Sequence, residues 1–163
     1  MATVTTLSRA AGGRGNPSSK PYLVEVEIDL AAAATAKGSA LAADDIIEAI
    51  TVGANTVVMF AGAEVTAAPA GGTSCTADIG ITGGDVDAFV DGMTITGASA
   101  GDYATLANTA TPILVTTSDT IDMLILGTTP DTSGKVRVYA CLMDVDSVGS
   151  SKEAAEVDRD LLA

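Results

Sequence analysis

The chain has 163 residues, of which 47% are apolar and only five are aromatic, and it carries a net charge of −13. That length suffices for one domain with a buried core, and the apolar fraction excludes a wholly disordered chain. The acidic balance argues against direct binding to nucleic acid, whose phosphates most of the surface would repel.

Residues 1–20 are rich in Gly, Ser and Thr and hold Arg9, Arg14 and Lys20 with no acidic residue. They read as a flexible, irregular N-terminal arm, basic against an acidic body and suited to reach an acidic neighbour. Tyr22 to Leu30 alternates Tyr22, Val24, Val26 and Ile28 with Glu25, Glu27 and Asp29, which predicts a half-buried strand. Residues 31–45 favour helix by their alanines, but Gly38 and Ser39 interrupt them. A loop with at most one helical turn is expected there. Ile46 to Val52 and Thr56 to Thr66 read as strands around a Gly53-Ala54-Asn55 turn, the second kinked at Gly62. Pro69, Gly71 and Gly72 mark a loop. Ser74 to Thr82 is a further strand, Asp91-Gly92 a turn, and Met93 to Thr96 a short strand. Pro112 to Thr116 and Thr120 to Thr128 flank Thr117-Ser118-Asp119 and suggest a hairpin. Lys135 to Val145 is the last strong strand.

Short strands punctuated by turn signals every eight to twelve residues, without alternating helices, predict an all-β, antiparallel β-sandwich of jelly-roll type. It is expected to span 21–148, after the 1–20 arm and before a helical tail over 149–163. Ser150-Ser151-Lys152-Glu153 fits a capping box, and Ala154, Val157 and Leu161 fall on one helical face. A helix this short is marginal alone in water, so it needs a surface to dock on. With Tyr22, Phe60, Phe89, Tyr103 and Tyr139 as the whole aromatic complement, the core must rest on Val, Ile, Leu, Ala and Met. Such small side chains bury little area each, which is a motive for self-association.

The chain has no histidine, so Ser-His-acid and Cys-His nucleophile systems are excluded, and no enzymatic activity is expected. Gly83-Gly84 and Gly71-Gly72 are not followed by GK[ST] and are read as turns, not phosphate loops. Asp85, Asp87 and Asp91 are candidate calcium ligands because clustered carboxylates supply the oxygens that ion takes. Their spacing is not that of an EF-hand, and a solvated loop is the alternative; Asp78 or Asp102 completes a site only if folding brings it near. No other cofactor is expected. Cys75 and Cys141 read as buried free thiols. No apolar run approaches the roughly 18 residues of a membrane span, and no apolar signal region opens the chain.

The succession DDIIEAITVGANTVVMFAGAEVT, DIGITGGDVDAFVDG, SDTIDMLILGT and GKVRVYACLMDVD, within residues 22–147, resembles small virion proteins of tailed bacteriophages, those of marine, cyanobacterium-infecting type above all. The TIDMLI and KVRVYACLMDV strands carry most of the likeness; the arm and tail match no pattern of that family. The resemblance implies a jelly-roll capsid decoration or head-associated protein. Such a protein is made in the host cytoplasm and bound on the capsid surface, where a homo-oligomer, a trimer, contacts the major capsid protein. Arg9, Arg14, Lys20, Val157 and Leu161 are then the expected interaction residues. A head fibre, knob or tail component is the alternative within the virion, and a carbohydrate-binding module the alternative outside it.

Overall fold

A computed structural model of the protein describes residues 21–107 and 111–145, together with the backbone of Thr3–Val4 and Arg9–Ala10. The elements run β1 (Thr3–Val4), β2 (Arg9–Ala10), β3 (Tyr22–Asp29), α1 (Leu30–Lys37), β4 (Ile46–Val52), β5 (Thr56–Ala70), β6 (Ser74–Ile81), β7 (Val90–Thr94), β8 (Ile113–Val115), β9 (Asp119–Thr129) and β10 (Ser133–Asp144).

They form two sheets. The first has the order β4-β9-β6-β7, with β1 and β2 paired in parallel to the outer edge of β4; the second has the order β3-β10-β5-β8. All other pairings are antiparallel; four of them are nested, β3 with β10, β4 with β9, β5 with β8 and β6 with β7, and the pairings of β5 with β10 and of β6 with β9 join these into the two sheets. Nested pairing of this kind is one long hairpin wound into two layers, which is a jelly roll. Among consecutive links from β3 onward, only β6 to β7 stays within one sheet.

The alternation in β3 and β10 decides their faces. Val136, Val138, Ala140 and Leu142 of β10 are fully buried, while the residues between them are half-exposed. Across the core they meet Ile47 and Ile50 of β4 and Ile121, Met123 and Ile125 of β9. As composition requires, the core is aliphatic, and Phe89 is the one aromatic among the described residues that is fully buried.

Four local expectations are corrected. Residues 30–37 make two helical turns, not a loop. Asp29 caps the start, accepting from the Ala31 and Ala32 amides at 2.9 and 3.1 Å, and Gly38 ends the helix in the left-handed conformation with φ of 80°. Gly38 is thus a terminator, where left-handed glycine belongs, and not an interruption. Asp91-Gly92 is not a turn but a bulge inside β7, opposite Asp78, whose carboxylate accepts the Gly92 amide at 2.7 Å. β5 runs through Pro69 to Ala70. The segments around 117–119 are no hairpin, because β8 pairs with β5 in the second sheet while β9 lies in the first. The turn residues instead carry the chain from one layer to the other.

Within the arm, the dipeptides Thr3–Val4 and Arg9–Ala10 oppose Ile46–Ile47 and Ile50–Thr51. These two dipeptides therefore lie along an edge strand, which otherwise presents unpaired amides and carbonyls.

Candidate interaction surface

The outer face of the second sheet is divided into a charged end and an apolar end. Period two sends Lys135, Arg137, Tyr139, Cys141 and Met143 of β10 outward, against Glu27, Glu25 and Leu23 of β3. At the charged end the Lys135 ammonium meets Glu27 at 2.8 Å, and Arg137 lies 3.8 Å from Glu25 and 3.6 Å from Glu64. The Lys135 ammonium, and then the Thr66 hydroxyl, hold the Glu27 carboxyl below its usual range. These pairs are open to water and contribute little stability. They do keep that end polar.

At the apolar end Leu23, Cys141 and Phe60 stand in one row across β3, β10 and β5, and Met143, Val57 and Leu114 in the next. Leu23 is 72% exposed, Leu114 52% and Phe60 40%. A register shift between Cys141 and Leu142 bulges β5, so that Met59 and Phe60 both face solvent. Tyr139 borders the patch. It lies across Gly62, where an added Cβ would stand 2.6 Å from its hydroxyl oxygen. Contiguous exposed apolar surface of this kind marks an interaction site.

The chain leaves the sandwich beside this patch. Asp144 accepts from the Tyr22 hydroxyl at 2.9 Å and the Thr56 hydroxyl at 3.1 Å, and the Val145 amide donates to the Asn55 carbonyl at 2.8 Å. Burial, and then this bond to Asp144, raise the Tyr22 pKa far above its ordinary value. Asp144 thus anchors the end of β10.

Part of the outer face of the first sheet is covered by its own loop. Residues 82–89 fold back over β6, with the Ile81 amide bonded to the Asp85 carbonyl and the Phe89 amide to the Ile79 carbonyl, both at 2.9 Å. Beneath lies Asp122, only 4% exposed, opposite Glu48 on β4 and Gly80 on β6. Its Oδ2 accepts from the Thr82 amide and hydroxyl, while its Oδ1 has no hydrogen-bond partner among the described residues. The described cations Lys37, Lys135 and Arg137 are paired with other carboxylates.

The sequence candidates are distributed as follows. Asp85 and Asp87 are adjacent, and a side-chain hydrogen bond that protonated Asp85 donates to Asp87, together with the Asp87 charge, raises the Asp85 pKa. Burial chiefly, with the charges of Asp91 and Asp87, raises Asp78. Among the described residues no three such groups converge to hold a metal ion. Arg9 is placed by its backbone opposite Ile50, its side chain lying outside the described residues, as do Arg14, Lys20, Val157 and Leu161. Cys75 is buried, but Cys141 is half-buried on the apolar row, contrary to expectation; both thiols are free. Phe60 and Tyr103 are exposed and do not serve the core. The sequence signal for the patch was Leu23, an apolar residue in the phase that β3 otherwise gives to acids.

Among the described residues no helix is long and apolar enough to cross a membrane. No protein-family model matches the chain, and no curated protein sequence matches it. Three solved structures share its fold. A chain in the capsid of Ralstonia phage GP4 aligns with a TM-score of 0.63 and 17% identity, over 90% of this chain and 100% of that one. One in the capsid asymmetric unit of cyanophage Pam1 gives 0.55 and 12%, over 83% of this chain and 93% of that one. One in the acidic stable capsid of Helicobacter pylori bacteriophage KHP30 gives 0.50 and 10%, over 76% and 86%. By its β-sandwich, the chain is similar in fold to proteins found in three bacteriophage capsids.

Proposed function

We propose that this chain is a bacteriophage virion structural protein, and specifically a decoration protein that binds the outer capsid shell against the major capsid protein as a homotrimer. The observation that carries this reading is the alignment with a chain of the Ralstonia phage GP4 capsid, which matches that chain over its full length. The mechanism is physical. Each copy adds contacts across the joints between shell subunits, and linking several copies turns weak single sites into tight attachment. Attachment then opposes the outward force of the packaged genome.

The basic arm is the contact segment. Its dipeptides Thr3–Val4 and Arg9–Ala10 pair with the edge of β4, a strand-edge contact of the kind that the shell or a sister subunit can also offer. Deleting residues 1–20 is expected to leave the sandwich folded and to lower occupancy on particles, measured by densitometry after sedimentation. Unchanged occupancy of the truncated chain refutes the role of the arm. Counting copies per purified particle tests the decoration reading itself: hundreds support it, and a dozen or fewer assign a vertex, fibre or tail component instead.

A further inference from the structure

We propose that residues 146–163 turn back over their own sandwich and lay the stripe Ala154, Val157 and Leu161 on the apolar end of the second sheet's outer face. Three observations converge on this occupant. The patch formed by Leu23, Met59, Phe60, Leu114, Cys141 and Met143 has no cover among the described residues. The described chain ends at Val145, two residues past Met143 of the patch, and its direction is set there by the Asn55 and Asp144 hydrogen bonds. The sequence beyond it places Ala154, Val157 and Leu161 at helical spacing, and a helix that short needs a partner surface.

The lengths agree. Residues 146–150 supply five residues for the reversal, within the usual range for a strand-to-helix connection of about 2–6. The following twelve residues, as a helix, span about 18 Å at 1.5 Å each. Four strands at about 4.8 Å spacing make the sheet about 14 Å across between its outer strand axes, and Cys141 lies about 7 Å from Met143 along β10. A helix leaving at Val145 therefore covers both apolar rows. Tethering also favours this surface over the same patch on another copy, because a short linker holds its segment at an effective concentration on the order of millimolar. The assignment does not depend on the virion reading.

Cys141 is a built-in reporter, since the only other thiol, Cys75, is 3% exposed. Both carboxylate substitutions of the test, Val157→Asp and Leu161→Asp together, lie outside the sandwich. They are expected to speed maleimide labelling of Cys141 about tenfold over the full-length parent, which corresponds to a docking free energy of about 1.4 kcal/mol. Equal rates overturn the proposal. In the second arm, Val157→Cys and Leu161→Cys are each oxidised in dilute protein. An intrachain disulfide to Cys141 in at least one, seen as a monomer with shifted mobility on a non-reducing gel, is expected. Interchain products as the main species give the patch to a second copy's tail and overturn the proposal, as does the absence of any cross-link in both variants.

Discussion

Asp122→Asn exchanges a buried, half-satisfied carboxylate for a neutral group of the same shape. In the native chain one oxygen accepts from Thr82, the other has no partner among the described residues, and Glu48 stands directly across the β4–β9 pair. Like charges opposite each other in an antiparallel pair are destabilising. Burial above all, partly offset by the hydrogen bonds from Thr82 and reinforced by the Asp119 charge, raises the Asp122 pKa from its ordinary 3.8. Glu48 is raised too, by its own burial and then by Asp122 and Asp119. Between the unfolded and folded pKa values the folded chain therefore keeps a proton that the unfolded chain has released. Stability falls as pH rises from about 4 through the folded value, then stays level. Asparagine does not titrate. Its carbonyl can keep the Thr82 bonds, and its amide nitrogen, in place of the unpartnered oxygen, can donate toward Glu48. The gain at pH 7 is expected to be about 1–3 kcal/mol, the usual cost of an unsatisfied buried acceptor. For a chain of this size that raises Tm by about 2–4 °C per kcal/mol. The gain should shrink toward zero below the ordinary aspartate pKa, and Glu48→Gln should recover part of it non-additively. The assay is thermal and urea denaturation at pH 3.5 and pH 7 at one protein concentration. A loss of stability at pH 7, or an equal gain at both pH values, refutes the reasoning.

Gly80→Ala is expected to open the 82–89 loop, because the new methyl would lie 2.2 Å from the Asp85 carbonyl oxygen and 2.3 Å from the Val86 carbonyl carbon. The cost should be about 1–3 kcal/mol, read as a lower urea midpoint together with faster hydrogen exchange at the Phe89 amide; exchange that stays slow contradicts it. Asp29→Ala removes the acceptor for the Ala31 and Ala32 amides and should cost about 1 kcal/mol, whereas Asp29→Asn or Asp29→Ser should recover most of it in the same titration.

The strands that could be read from the sequence are those whose signal is local. Tyr22–Asp29 and Ser133–Asp144 alternate faithfully because each has one face on the core and the other in water. The patch was legible only as the misplaced Leu23. Met59 and Phe60 emerge together because a bulge shifts the phase of β5 against β10, and nothing within TVVMFAG announces that shift. The helix at 30–37 was missed because Gly38 was weighed as a breaker when its left-handed backbone makes it a cap.

By itself the sequence determined an aliphatic, two-layered β protein without histidine chemistry, since composition and period-two burial follow from which side chains water excludes. Only the tertiary structure decided that β8 and β9 part company between layers, that Asp122 is enclosed beneath the 82–89 loop, and that the apolar leftovers of four strands meet in one patch. Those outcomes depend on pairings between residues far apart in the chain, and no local run of side chains carries the free energy that selects them.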